Sequence, residues 1–180
     1  TQNSWEASLK KYLQNHDEFE VHYSSSKSEL LQNISEADAC FSFSFDKEVL
    51  NLISKLKFLY LGISDIDYFD KYEMPGGLKI YSSKGLASDL ISEHVLMVAL
   101  NLIRNFQICM INQTKRKWDH APILMKSSTS IKSYKIGVLG LGYNGQAIVK
   151  LFKDIGCWVA GYSNDENEST NLDKWFPESR

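Results

Sequence analysis

The stretch that most constrains this chain is residues 134–165, YKIGVLGLGYNGQAIVKLFKDIGCWVAGYSND. Ile136, Val138 and Leu139 make a short apolar run that suits a buried parallel strand. Gly140, Gly142 and Gly145 then complete G-x-G-x-x-G. Ala147, Ile148, Leu151, Phe152 and Ile155 follow at helical spacing, and Gly156 supplies a helix stop. Cys157, Trp158, Val159 and Ala160 open a second strand. A glycine motif that leaves a strand and opens a helix has a definite chemistry. The first glycine permits the tight turn, the second lets backbone approach a pyrophosphate, and the third lets the helix pack close to the strand. The free amides of Tyr143 and Asn144 are expected to point at phosphate oxygens from the helix N-terminus.

The chain has 180 residues, 43% of them hydrophobic, which is enough for a packed core and argues against disorder. A net charge of -2 gives no reason to expect nucleic acid or an anionic membrane as partner. Cys40, Cys109 and Cys157 lie far apart without a C-x-x-C, which suits a reducing, cytoplasmic setting and no metal site. The longest apolar run, residues 95–100, is too short to span a bilayer.

Ahead of the glycine motif, helix and strand alternate. Trp5, Leu9, Tyr12 and Leu13 predict a helix over residues 4–14, and Phe19, Val21 and Tyr23 alternate as a strand. A helix over 28–34 and a strand over 39–45 follow, with Phe41, Phe43 and Phe45 expected to bury one face. Val49, Leu50, Leu52, Ile53 and Leu56 predict a third helix, residues 58–63 a strand, 74–77 a turn and 78–81 a further strand. The alternation points to a parallel sheet covered by helices. Residues 87–115 read as one long helix, apolar nearly all round and therefore covered by more than one neighbour. The basic run 114–118 reads as a solvated helix end, and residues 122–133 as a Ser-rich linker.

Three blocks in order resemble the D-isomer-specific 2-hydroxyacid dehydrogenases. Residues 56–70, LKFLYLGISDIDYFD, are similar to the family's LK-x-I…G-x-G-x-D-x-I-D. Residues 85–95, GLASDLISEHV, are similar to G-x-N-A-x-x-V-A-E-H, and the glycine motif is similar to G-x-V-G-I-I-G-L-G-x-I-G. The resemblance implies an α/β protein: a flavodoxin-like, parallel-sheet substrate domain (residues 1–86), a linking and dimer-forming helix (87–117), and the first βαβ part of a Rossmann NAD-binding domain (118–180). It implies an oxidoreductase that moves a hydride between a nicotinamide cofactor and a small 2-hydroxy or 2-oxo acid, and a homodimer. It places cofactor contacts at Gly140, Gly142, Tyr143, Asn144, Gly145 and Ser163, and the substrate carboxylate near Ser64 and Asp65.

The chain also departs from the family's pattern. The family's catalytic Arg, Glu and His would fall beyond residue 180, so the 180-residue chain by itself is expected to be inactive. His94 belongs to the Glu-His pair of the linking helix and is read as a packed histidine. Asp65 stands where the family has a glycine beside the substrate. A carboxylate there at ~4 Å from another would cost about 4 kcal/mol at an effective dielectric of 20. Asp65 then points away, the loop is shifted, or the site is altered. Asn144 replaces a usual Ile or Val. The ribose-binding acid is expected roughly 20 residues past the first glycine, where alignment puts Ser163, with Asp165 two residues on. Residues 164–173 carry no Arg or Lys for a 2′-phosphate and include Asp165, Glu166, Glu168 and Asp173, which favours NAD and leaves NADP open. A non-catalytic dinucleotide-binding or interaction protein of the same descent is the alternative.

Overall fold

The computed structural model describes residues 2–43, 47–64, 74–120, 129–164 and 171–177. They form two compact units, Thr1–Ser82 and Ser83–Arg180. Each has a three-stranded parallel sheet and its own hydrophobic core.

The first unit opens with α1 (Gln2–Leu13), whose last turn carries Lys10 and Lys11 where the helix dipole favours positive charge. Ser26 starts α2 (Lys27–Asn33): its hydroxyl accepts from the Glu29 amide, and the Glu29 carboxylate reaches back to the Ser25 amide at 2.7 Å. Strands β1 (Ala39–Ser42), β2 (Phe58–Leu61) and β3 (Lys79–Ser82) pair in the order β1-β2-β3, with Cys40 opposite Leu59 and Leu59 opposite Ile80. Ile34, Val49, Ile53, Leu56, Leu59 and Leu61 are the core, each almost fully buried.

Three expectations for this unit fail, each for a physical reason. Phe19, Val21 and Tyr23 form no strand. They are exposed, pair with no strand among the described residues, and line a shallow groove with Lys10 and Leu13 on α1. Phe41 and Phe43 do not bury one face either. They lie half exposed, Phe41 stacked on Tyr60 with centroids 5.2 Å apart and Phe43 edge-on to it at 5.4 Å. Phe45 lies outside the described residues. The third helix is one turn only, α3 (Lys47–Leu50). Tight turns closed by Leu52 N–H to the Val49 carbonyl and Leu56 N–H to the Ile53 carbonyl follow it. These turns keep Val49, Ile53 and Leu56 on one buried side, so the apolar spacing survives while the helix does not.

In the second unit the expected long helix is two helices, α4 (Ser88–Ile103) and α5 (Phe106–Thr114), bent by 70°. Asn105 breaks it by adopting the left-handed conformation (φ 50°), which asparagine tolerates better than most residues. Within this one chain the helix is also not covered all round. One stripe of α4, with Ser88, Ser92, Leu96, Ala99 and Ile103, is turned inward, while Leu90, Met97 and Leu102 stay exposed. In the expected linker, Ile131–Ser133 is a 3-10 turn capped by the Ser130 hydroxyl, and Ile131 joins the core; residues 121–128 lie outside the described residues. Strand β4 (Lys135–Leu139), α6 (Tyr143–Ile155), β5 (Trp158–Ser163) and β6 (Lys174–Pro177) follow, with sheet order β4-β5-β6. Gly156 (φ 93°) ends α6: its amide bonds the Lys153 carbonyl and the Cys157 amide bonds the Phe152 carbonyl. Strand, glycine loop, helix and strand thus stand where the sequence put them.

Candidate functional site

The loop between β4 and α6 is shaped by three glycines with three different reasons to be glycine. Gly140 has φ 86°, a conformation that L side chains avoid, and its amide bonds the Tyr162 carbonyl of the adjacent strand at 2.9 Å. Gly142 is the α6 N-cap in extended conformation, and among the described residues a Cβ added to it would meet nothing within 4 Å. A Cβ on Gly145 would fall 2.0 Å from the Gly140 carbonyl oxygen. The first glycine therefore turns the chain, the second faces open space, and the third lets α6 lie against the end of β4. Leu141 is inverted into the core, and Gly161 on β5 makes room for it: a Cβ there would come within 2.8 Å of the Leu141 side chain.

The α6 N-cap makes no side-chain hydrogen bond, and Gly142, Tyr143 and Asn144 are exposed. An uncapped helix start beside an open glycine suits an anionic group, because its first amides lack intrahelical acceptors and the dipole is positive there. The residues thus fit the pyrophosphate of a dinucleotide. Gly140, Gly142, Tyr143, Asn144 and Gly145 are gathered on this one loop. Ser163 lies at the carboxyl end of β5, beside the loop's strand, which pairs Leu139 with Tyr162. Its hydroxyl is buried and accepts from the Trp175 indole at 3.4 Å. Ser64 is exposed just beyond β2 in the first unit, and Asp65 and Asp165 lie outside the described residues.

Sequence reasoning missed a second layer around the loop. The Ser88 hydroxyl, at the start of α4, donates to Asn144 Oδ1 at 2.8 Å. The Tyr143 ring lies over Gly85, where a Cβ would come within 2.8 Å of it, and Lys84 Nζ stands 5.8 Å from the ring centroid. The only signal in the sequence was the alignment of 85–95 with a family block; nothing local joins residues 84–88 to 143–144. Asp173, counted above among the acids near the ribose position, is at the opposite end of β5. It accepts from Lys153 Nζ at 2.8 Å and from the Val159 amide at 2.6 Å, and these donors hold its carboxyl below the usual carboxylate range. His94 is exposed on α4, against the packed reading. Among the described residues no group of three or more His, Cys, Asp or Glu could hold a metal ion. Among them, too, no single helix is long and apolar enough to cross a membrane.

A parallel βαβ unit with a glycine-lined, uncapped helix start defines a dinucleotide-binding protein of the Rossmann type. Residues 96–178 match the NAD binding domain of the D-isomer specific 2-hydroxyacid dehydrogenases. It is 26% identical over 171 residues to a D-lactate dehydrogenase of Treponema pallidum, covering 89% of this chain and 50% of the relative. It is 28% identical over 160 residues to a D-3-phosphoglycerate dehydrogenase of Methanocaldococcus jannaschii, covering 84% and 29%. A crystal structure of a D-isomer specific 2-hydroxyacid dehydrogenase family protein from Aeromonas salmonicida superposes with a TM-score of 0.73 at 22% identity, over 96% of this chain and 55% of that one, which shows a shared fold. The chain thus spans half the length of the Treponema relative.

Proposed function

We propose that this chain supplies the substrate-side and pyrophosphate-binding parts of an NAD-dependent oxidoreductase acting on a small 2-hydroxy or 2-oxo acid. The observation that carries the reading is the loop 140–145, where each glycine has a separate geometric reason and the open one faces an uncapped helix start. Bound nicotinamide would supply the hydride chemistry, and the protein's part is to place the cofactor and the acid. Residues of the loop, with Ser163 beside them, would hold the cofactor, and the Ser64–Asp65 segment would hold the substrate carboxylate. The D-lactate and D-3-phosphoglycerate dehydrogenase relatives both act on 2-hydroxy acids by name, which supports that substrate class. NAD is favoured over NADP by the absence of Arg and Lys from residues 164–173. The domain reading is a substrate domain over 1–86, a linking helix over 87–117 and the start of the nucleotide domain over 118–180, in a cytoplasmic protein.

The test is titration of the chain into NADH, followed by the cofactor's fluorescence. Saturable binding that ADP-ribose displaces is expected; a folded chain that leaves the fluorescence unchanged would refute the reading. The same reading includes a homodimer. Leu90, Met97, Val98, Leu102 and Phe106 are exposed apolar side chains on α4 and α5, the kind of surface that marks an interface. Sedimentation equilibrium at micromolar concentration should give a dimer mass that Leu102→Asp reduces to the monomer. A monomer mass throughout would reject the dimer.

A further inference from the structure

Ser88 and Asn144 are 56 residues apart in the chain, yet their side chains meet at 2.8 Å where α4 begins and α6 begins. Both stand where the family patterns quoted above have apolar residues: alanine at 88 and an aliphatic residue at 144. Two apolar positions have become one polar pair. Ser88 is almost fully buried, so its hydroxyl must find a partner or carry an unmet desolvation cost. The partner is the carbonyl oxygen of the Asn144 side chain.

The direction of that bond matters. Asn144 is the second residue of α6 and is exposed. With Oδ1 held against Ser88, the two N–H groups are the end of the amide turned away from that contact. They sit at the positive end of α6, next to the backbone amides that the dinucleotide reading assigns to the pyrophosphate. Resting on that reading, we propose that Asn144 is a side-chain phosphate donor and that Ser88 is the positioning residue that fixes its amide with the N–H groups outward. The aliphatic residue of the family pattern has no such donor. The ligand group is the dinucleotide's pyrophosphate, now bound by backbone amides together with one oriented side-chain amide.

A purely structural role, in which the pair only pins α4 to α6, predicts different behaviour. Asn144→Asp keeps an oxygen for the Ser88 hydroxyl but turns an anionic oxygen toward the phosphates. Asn144→Ala removes both functions, Ser88→Ala releases the amide, and Ser88→Thr keeps a hydroxyl. NADH affinity of the full chain is measured by fluorescence titration, with circular dichroism showing that each variant is folded. A hydrogen bond to a charged group leads one to expect a loss of about tenfold or more for Asn144→Ala. Asn144→Asp should lose more, Ser88→Ala several-fold, and Ser88→Thr should bind as the parent does. Parent-like affinity in Asn144→Ala or Asn144→Asp would overturn the donor role and leave the dinucleotide reading standing. Parent-like affinity in Ser88→Ala alone would overturn the positioning role. A parent chain that binds no NADH would overturn the dinucleotide reading and this inference with it.

Discussion

The three glycines of the loop should separate binding from folding when each is replaced by alanine. A Cβ at Gly145 lies 2.0 Å from the Gly140 carbonyl oxygen, a backbone atom in a turn with φ 86°. To restore an ordinary contact the loop and α6 must part by roughly 1 Å, in an interior whose packing tolerates less than a methylene of change. Overpacking of this kind costs about 1–3 kcal/mol or more, which for a unit of roughly a hundred residues lowers the melting temperature by roughly 4–8 °C per kcal/mol. Gly142→Ala is a different case. Its Cβ would enter space with no heavy atom of the described residues within 4 Å, at φ -61°, which alanine adopts freely. Alanine is a poorer N-cap than glycine by about 1 kcal/mol, and its stiffer unfolded chain offsets about 0.4–1 kcal/mol of that. The melting temperature should therefore move by only about 3 °C. NADH affinity should nevertheless fall tenfold or more, because that open space is where the pyrophosphate must approach the backbone. Gly145→Ala should lose both stability and affinity. Differential scanning fluorimetry and fluorescence titration on the same preparations read the two effects. A Gly142→Ala chain that binds NADH like its parent would refute the placement of the phosphates. A Gly145→Ala chain with parental stability would refute the close fit of α6 against the loop.

Burial pushes the Cys40 thiol up to about 11. At pH 8 such a thiol is about 0.1% thiolate, against about a quarter for a free cysteine, so Cys40 should react with iodoacetamide at least a hundredfold more slowly than a free thiol. Peptide mass spectrometry after timed labelling checks this, and labelling at the free-thiol rate would show that Cys40 is not covered. Asp173→Asn should lower the urea midpoint near neutral pH. The folded Asp173 carboxyl titrates below its unfolded value, first because Lys153 donates to it and then because the Val159 amide does. Its contribution is therefore complete above the unfolded pKa of about 3.9 and disappears as pH falls through the lower folded value. The gap between parent and variant midpoints should be constant from pH 5 to 8 and close below about pH 4; a gap that persists at low pH would mean the carboxylate charge is not its source.

What the sequence revealed was what the backbone itself requires. Gly140 needs a positive φ, Gly145 needs the absence of a Cβ, and Gly156 needs a left-handed cap, so local geometry had no substitute for glycine at these positions. The alternation of strand and helix around them came from apolar spacing alone. Where partners decide, the reading failed. Phe19, Val21 and Tyr23 carry a strand's pattern but meet no neighbouring strand among the described residues. Phe41 and Phe43 alternate as inward residues would, yet Phe41 stacks on Tyr60 and meets Phe43 edge-on, outside the core. The break at Asn105 was hidden because one asparagine in a largely apolar helical stretch carries almost no signal, while its conformation turns α5 from α4 by 70°. The Ser88–Asn144 pair was hidden for the same reason as any tertiary contact: no spacing rule joins residues so far apart in the chain.

Each residue assigned a binding role nevertheless stands at or just past the carboxyl end of a strand in its own unit. The glycine loop leaves the carboxyl end of β4, Ser163 closes the carboxyl end of β5, and Ser64 lies just past the carboxyl end of β2. In a parallel sheet the chain leaves every strand at that edge, and the following helix begins there with its free amides and positive dipole end. Ligands of open α/β sheets bind outside the carboxyl ends of the strands for this reason. The two units each have such an edge, built from unrelated sequence. In the second unit the edge is furnished by three glycines and an uncapped helix, which suits phosphate. In the first it follows β2 with Gly62, whose missing Cβ admits the Phe43 ring, and then the exposed Ser64.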